Sequence, residues 1–287
     1  MAPERRDPPY FNSSGRPLRP TRQMVLLECG EMFRRRWAHP ALLAIVAFVT
    51  FAVIFVFVTW LIPDRPGDED LPEFDQENVD ERKQAFFDYL RPIVRYYNER
   101  IAEEREWLLD ATESGPPNWL ARRRLNDLAE KYRIDMETVG IDETIELLRR
   151  RVDTVPESLV LIQAAKESGW GSSRFARQGN ALFGQRCYEE GCGIVPGARS
   201  EKSAFEVESF DTASESVESY IRNLNTHDRY IVMRRARHQL RQRGADVSGT
   251  ELAAYLDDYS ERGPAYVAEI QSMIRQNDLE ANNRQSE

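Results

Sequence analysis

One carboxylate stands out for where it lies in the sequence. Glu167 opens E-S-G-W-G (167–171), and only Lys166 separates it from the largely apolar run LVLIQAA. A carboxyl group at the end of an apolar helix, followed by a glycine-rich turn, can sit in a partly dry cleft, where lost solvation raises its pKa. Such an acid can protonate a glycosidic oxygen, with Trp170 packing the cleft wall. The alternative interpretation is a solvated glutamate at a helix end.

The elements around Glu167 are predicted to be mainly helical. Apolar residues recur at i, i+3 and i+4 from about residue 81, again in NWLARRRLNDLAEKYRI and DETIELLRRRV, and near the C-terminus. Thr154 and Glu157 have the capping-box spacing that would begin the Glu167 helix. A second such pair, Thr212 and Glu215, would begin another helix. In SAFEVESF, polar and apolar residues alternate, which predicts a strand.

Three cysteines divide between the two ends of the chain. Cys29 lies in the N-terminal arm, whereas Cys187 and Cys192 form a C-x4-C pair. In an oxidising compartment this pair would close a small disulfide loop. Two free thiols or a metal site are the alternatives, but a cysteine pair without a nearby histidine is a poor zinc signature. We therefore predict a disulfide, no metal and no cofactor.

An uncharged run of 22 residues, 41–62, predicts a transmembrane helix. At 1.5 Å per residue it spans about 33 Å, enough for a hydrocarbon core of about 30 Å. Eight arginines precede the run, and nine acids with one base follow it in residues 64–81. The positive-inside rule then predicts a single-pass inner-membrane protein with a cytoplasmic N-terminus and a periplasmic C-terminal part.

The remaining boundaries follow from composition. We predict a basic cytoplasmic tail (1–40), an acidic linker (63–80), a helical stalk (81–117) ended by Gly-Pro-Pro, a main domain (118–280) and a polar tail (281–287). The net charge of −9 disfavours nucleic acid as a partner, because nucleic-acid binding needs concentrated Lys and Arg.

The run AAKESGWGSSRFARQGNALFGQ (164–185) resembles the signature of the glucosaminidase family of peptidoglycan hydrolases, glycoside hydrolase family 73. The stretches CYEEGCGIVPG, FEVESFDTASESVESYIRNLNTH and YSERGPAYVAEIQSMI are more similar to its Bax-like branch. The resemblance covers residues 118–280. It implies a mainly α (α+β) fold, a lysozyme-like helical domain with a small β-hairpin lobe.

The resemblance also implies roles for individual residues. Glu167 matches the family's essential acid, and Asn180 and Phe183 match an N-x-F-G turn that lines the substrate groove. Tyr266 matches a tyrosine linked to catalysis, with a core aromatic as the alternative. Tyr220 matches an aromatic on the helix after the strands, as a substrate contact or a core residue.

The second carboxylate departs from the family pattern. Many members carry a T-x-E-Y strand whose glutamate is proposed as the base, and that motif is absent here. Among the glutamates of the replacement region, Glu206 is our prediction, because it lies centrally on the strand; a surface position is the alternative. The substrate's own N-acetyl group could act instead. Asn225, at a helix end, is either a cap or a substrate contact.

Three functions compete at this point. The leading prediction is an endo-β-N-acetylglucosaminidase that cleaves the β-1,4 bond after N-acetylglucosamine in peptidoglycan glycan strands. The second is a lytic transglycosylase, which also places one glutamate before a serine at a helix end. The third is an inactive wall-binding or morphogenesis module that kept the groove and lost the base.

Overall fold

The computed structural model describes residues 44–55, 65–113, 115, 117–197 and 205–280. The chain divides into two units, Met1–Pro63 and Asp64–Glu287. In the first unit, residues 44–55 are helical. The rest of the predicted transmembrane segment, 41–43 and 56–62, lies outside the described residues, as do the two tails, 1–40 and 281–287. Within the described ranges, no helix is long and apolar enough to cross a membrane.

The second unit is mainly helical, as predicted. Its helices are α1 (Val79–Glu113), α2 (Trp119–Lys131), α3 (Met136–Val139), α4 (Ile141–Arg151), α5 (Glu157–Ser168), α6 (Arg174–Gly179), α7 (Ala213–Thr226), α8 (Ile231–Gln242), α9 (Gly249–Ala253) and α10 (Pro264–Gln276). Two 3-10 turns, Asp228–Tyr230 and Asp257–Tyr259, precede α8 and α10. Every residue of α5 from Ser158 to Ala165 is buried, so α5 is the central helix.

Helix α1 belongs to the folded core and is not a projecting stalk. Its apolar face, which includes Phe86, Leu90, Ile93 and Leu108, is almost completely buried. The preceding segment is also packed rather than free, because Phe74 contacts the Phe86 ring edge-on at 5.2 Å. The helix itself was predicted, but its apolar stripe packs into the core of this domain. The domain therefore extends well before residue 118.

Helix α5 begins without the predicted capping box. Pro156 occupies the N-cap position and offers no side-chain cap. Glu157 instead accepts hydrogen bonds from Arg91 and from Arg95 Nε, the latter at 2.7 Å. Two guanidinium groups of α1 thus hold the first residue of α5. The second predicted cap is confirmed: Thr212 Oγ1 accepts from the Glu215 amide at 3.2 Å.

A small antiparallel sheet carries the disulfide. Its strands, β1 (Arg186–Cys187), β2 (Gly193–Ile194) and β3 (Glu206–Glu208), are ordered β1-β3-β2, so β3 is central and the lobe is not a simple hairpin. Gly193 pairs with Glu208. A Cβ atom at residue 193 would lie 1.9 Å from the Val207 carbonyl oxygen, so only glycine fits there. The predicted Cys187–Cys192 disulfide is present.

Helix α8 contributes two buried arginines. Arg234 Nη1 donates to the Leu224 and His227 carbonyls at 2.9 and 2.7 Å, which satisfies the C-terminal end of α7. Arg237 is fully buried and lies 3.6 Å from the carboxylate of Asp153, itself 1% exposed. The arginine-rich run of α8 is therefore an internal support as well as a surface.

Candidate active site

Glu167 occupies the last turn of α5 and lines a cleft. The chain leaves α5 through two consecutive left-handed residues, Gly169 and Trp170, with φ of 59° and 58°. Ser168 stabilises this turn: its hydroxyl donates to the Ala164 carbonyl at 2.7 Å and accepts from the Gly171 amide at 2.8 Å. The glycine-rich turn thus ends the helix one residue after Glu167.

The cleft has a volume of about 1310 Å³ and is open to solvent. Helices α5 and α7, the sheet, and the loops around both 3-10 turns form its walls. Its charged and aromatic lining residues are Arg133, Glu167, Phe183, Arg186, Tyr188, Glu208, Arg222, His227, Arg229, Tyr230, Asp257, Tyr259, Glu261 and Arg262. A cleft of this volume has room for several sugar rings.

A chain of hydrogen bonds from the core ends on Glu167. The Tyr220 hydroxyl donates to Gln163 Oε1, and Gln163 Nε2 donates to the Tyr266 hydroxyl at 2.8 Å. Tyr266 then donates to Glu167 Oε1 at 3.0 Å. Gln163, Tyr220 and Tyr266 are all at most 2% exposed. The position of the Glu167 carboxyl is therefore set by three buried side chains from α5, α7 and α10.

Burial raises the pKa of Glu167. The hydrogen bond from Tyr266 and the charge of Lys166 oppose this effect, and the charge of Glu269 adds to it. The pKa of Tyr266 is also raised, mainly by burial and then by the charge of Glu167, so Tyr266 keeps its proton and remains a donor. The raised pKa makes the Glu167 carboxyl easier to protonate, and the hydrogen bond from Tyr266 orients it, which suits general acid catalysis.

A second carboxylate, Glu208, lines the same cleft at the end of β3. Burial raises its pKa, and the charges of Arg222 and Arg133 act in the opposite direction. Glu167 and Glu208 thus differ in their surroundings, since Glu167 accepts a hydrogen bond from a tyrosine and Glu208 is under the charge of two arginines.

Glu206, which we predicted as the second catalytic residue, does not line the cleft. Its two carboxylate oxygens accept hydrogen bonds from the amides of Gly191 and Gly193, at 3.3 and 2.9 Å. Both glycines flank Cys192, so Glu206 holds the disulfide loop. The strand was predicted correctly, but alternation alone does not distinguish Glu206 from Glu208.

Four of the five predicted substrate contacts do not line the cleft. Tyr220 is a buried core residue, and the other three have the following surroundings. Trp170 packs edge-on against Phe87 at 5.2 Å, on the α1 side of the domain. Asn180 Nδ2 donates to the Phe210 and Asp211 carbonyls at 3.1 and 3.0 Å. Asn225 is fully buried and donates to the Asp153 carbonyl at 3.0 Å. None of the three lines the cleft.

Aromatic residues form one wall of the cleft. Phe183 lines it and stacks on the buried Tyr220 ring at 3.9 Å. Tyr259 stacks on Tyr266 at 5.3 Å and donates to the Phe183 carbonyl at 3.2 Å. Tyr259 and Tyr230 were not predicted as site residues, since neither matches a position with a known role. Tyr259 could have been noticed because it begins one of the stretches that resemble the Bax-like branch.

No built metal site accompanies the described cleft. In the described part of the chain, the group of potential ligands that lie close together is Cys187, Cys192 and Glu206. Both sulfurs are committed to the disulfide, and Glu206 is bonded to backbone amides. This cluster therefore does not fit a metal ion.

Comparison with known proteins specifies the family of this helical domain. The family model described as "Glucosaminidase: Mannosyl-glycoprotein endo-beta-N-acetylglucosaminidase" matches residues 143–279. Protein bax of Escherichia coli (strain K12) is 35% identical over 196 residues, 68% of this chain and 70% of that protein. No solved structure matches. The chain belongs to the glucosaminidase family, as a Bax-like member.

Proposed function

We propose that this protein is a peptidoglycan hydrolase, an endo-β-N-acetylglucosaminidase that cleaves the β-1,4 bond after N-acetylglucosamine. The observation that carries the proposal is the hydrogen bond from Tyr266 to Glu167 in an open cleft. The buried network fixes one carboxyl group in a cleft that has room for several sugar rings, and such fixed positioning is what an acid catalyst needs.

The geometry suggests which oxygen of Glu167 acts. Oε1 accepts the hydrogen bond from Tyr266, whereas Oε2 has no hydrogen-bond partner among the described residues. The proton of the neutral acid then belongs on Oε2, the oxygen free to face the substrate. In the proposed step, Oε2 gives this proton to the glycosidic oxygen as the bond to the anomeric carbon breaks.

We propose Glu208, in place of Glu206, as the carboxylate that activates water. It lies in the cleft, and Arg133 and Arg222 favour its ionised form. An inverting glycosidase needs such a base about 6.5–9.5 Å from the acid. The substrate's N-acetyl group is the competing nucleophile, and replacement of Glu208 distinguishes the two.

We further propose that residues 41–62 anchor the protein in the inner membrane, with the N-terminus in the cytoplasm and the catalytic domain in the periplasm. The support is the sequence: an uncharged run of 22 residues, with arginines before it and acids after it. A protease added to spheroplasts should digest a tag placed at the C-terminus and spare one at the N-terminus. The reverse pattern would contradict this topology.

The chemistry of the released ends tests the enzymatic proposal. Purified sacculi are incubated with the protein, and the soluble products are reduced with borohydride and analysed by mass spectrometry. A glucosaminidase leaves reduced glucosamine ends, whereas a lytic transglycosylase leaves anhydromuramic ends. Binding to sacculi without any release would favour the wall-binding module, to which the missing T-x-E-Y glutamate points.

A further inference from the structure

Five arginines line the cleft of a chain whose net charge is −9. Two of them already have partners: Arg262 forms an ion pair with Glu269 at 2.7 Å, and Arg186 lies over the Phe205 ring at 4.3 Å. The other three, Arg133, Arg222 and Arg229, are exposed. None of these three makes an ion pair with any residue that the structure describes. We call them the arginine cluster.

Arg133 is held in place by its backbone. It has a left-handed φ of 56° in the turn after α2. Arg151 Nη1 donates to the carbonyls of Tyr132 and Arg133 at 2.7 and 2.9 Å, and the Ile134 amide donates to the Ala129 carbonyl at 2.7 Å. The turn thus presents the Arg133 side chain to the cleft from a fixed point.

Arg133 also lies outside the segment that matches the family model, which begins at residue 143. The helices before that segment therefore do more than complete the core, because they add a cation to the cleft wall. Arg222, on α7, and Arg229, in the following 3-10 turn, come from inside the matched segment. Two separate parts of the chain thus contribute arginines to one cleft.

The arginine cluster carries more positive charge than is needed to balance the single carboxylate of Glu208. Glu208 is the acid whose pKa responds to Arg222 and Arg133, yet neither arginine is in salt-bridge contact with it. The other acids of the lining are Glu167, Asp257 and Glu261. Exposed guanidinium groups with open donors are suited to carboxylate ligands, which they bind through paired N–H donors.

We propose that Arg133 and Arg222, with Arg229 in the same cleft lining, bind a carboxylate carried by the glycan substrate. This inference rests on the proposed function and names the form of the substrate that the cleft prefers. In peptidoglycan the carboxylate has two sources. It belongs either to the peptide stem or, where the stem has been removed, to the lactyl ether of the muramic acid.

Three preparations of the same glycan separate the two sources. The first keeps its peptide stems. The second has been treated with an amidase, which removes the stems and frees the lactyl carboxylate. The third is the amidase-treated glycan with that carboxylate converted to a methylamide. The measured quantity is kcat/KM on each of the three glycans, with the full chain as the enzyme, in detergent or in membranes.

The test variant is the double substitution Arg133→Gln and Arg222→Gln. We expect kcat/KM on the preferred anionic glycan to fall at least tenfold further than on the methylamide, because each lost contact is a charge-assisted hydrogen bond. A loss of this size on the stem-bearing glycan alone assigns the stem carboxylate, and a loss of this size on the amidase-treated glycan alone assigns the lactyl carboxylate. An equal loss on both means that the site accepts either carboxylate. Using the ratio of substrates cancels any effect through Glu208, which acts on all three.

Arg123→Gln is the matched control, since Arg123 is exposed on α2 and does not line the cleft. It should leave the ratio at the wild-type value. If the double variant cleaves all three glycans with the wild-type ratio, the carboxylate site is refuted while the hydrolase stands. If the wild-type protein releases nothing from any preparation, the proposed function itself fails.

Discussion

The Tyr266 hydroxyl donates a hydrogen bond of 3.0 Å to Glu167 Oε1, across 99 residues of chain. Behind it, Gln163 donates to Tyr266 at 2.8 Å and accepts from Tyr220. Gln163 and Tyr266 each accept one hydrogen bond and donate the next, so the orientation of the Tyr266 hydroxyl is determined from the core outwards. This relationship decides which Glu167 oxygen is available to carry a proton.

Tyr266→Phe tests the role of this hydrogen bond. Tyr266 lowers the pKa of Glu167 against the larger effect of burial, so its removal raises that pKa further. Because the general acid must be protonated, the alkaline limb of the kcat profile should move to higher pH. The maximal rate should fall about tenfold, the equivalent of one hydrogen bond.

Tyr259→Phe is the control for that experiment. It also removes a hydroxyl from an aromatic that stacks in the same wall, but its hydrogen bond goes to the Phe183 carbonyl. The alkaline limb should stay at the wild-type pH. Equal shifts in both variants would mean that Tyr266 acts through packing and not through Glu167.

Glu167→Gln should stabilise the protein at neutral pH. The folded-state pKa of Glu167 is raised, so the folded state binds its proton more tightly than the unfolded state does. Stability is then lost as the pH rises from the unfolded value of about 4.3 through the folded value. The Tm advantage of the variant should therefore be small at pH 4 and larger at pH 7, about 2–4 °C for each kcal/mol.

Thermal unfolding followed by circular dichroism across this pH range measures the effect. Glu261→Gln is the matched control, because Glu261 also lines the cleft but is exposed. A Tm for Glu167→Gln that stays below wild type at pH 7 would contradict the burial argument.

Glu208→Gln and Glu206→Gln should fail in different ways. If Glu208 activates water, Glu208→Gln lowers kcat about 10²–10⁴-fold, the range of a general base, with the Tm near wild type. Glu206→Gln weakens the hold on two backbone amides of the disulfide loop, so it should lower the Tm and change kcat less. Full activity in Glu208→Gln would assign the nucleophile to the substrate's N-acetyl group.

The buried ion cluster around Asp153 makes a prediction about stability. Asp153 lies 3.6 Å from Arg105 and from Arg237, and 3.1 Å from Arg241. Burial lowers the pKa of Arg237 to about 10, and the charge of Asp153 acts against this shift. Asp153→Asn leaves that charge uncompensated and should cost about 3 kcal/mol in the free energy of unfolding, measured in urea. Asp127→Asn, on an exposed part of α2, should cost less than about 0.5 kcal/mol.

The features that sequence analysis predicted well are those that depend on local chemistry. Glu167 before a glycine-rich turn, the cap at Thr212 and the Cys187–Cys192 pair each involve neighbours within five residues. The periodic helices were also identified, because an apolar stripe records burial whatever covers it. The mainly helical class followed from them.

The features that were missed depend on contacts between residues that are distant in the sequence. The stripe of α1 does not reveal that its partner is α5, so the helix was interpreted as a stalk. Thr154 and Glu157 have the capping spacing, but Arg91 and Arg95 compete for the carboxylate. Alternation puts Glu206 and Glu208 on one face of the strand. The two are distinguished by the disulfide loop, whose amides bind Glu206, whereas Glu208 lines the cleft. The burial of Arg237 in α8 was missed for the same reason, because its acidic partner, Asp153, is distant in the sequence.

The most direct test compares wild-type protein, Glu167→Gln and Glu261→Gln on purified sacculi, by the rate at which soluble muropeptides with reduced glucosamine ends appear. Both substitutions remove one carboxylate from the cleft lining, but only Glu167 receives the hydrogen bond from Tyr266. The proposal predicts release by wild type and by Glu261→Gln, and a loss of at least about 10²-fold in Glu167→Gln. Undiminished release by a well-folded Glu167→Gln would contradict the assignment of Glu167 as the acid.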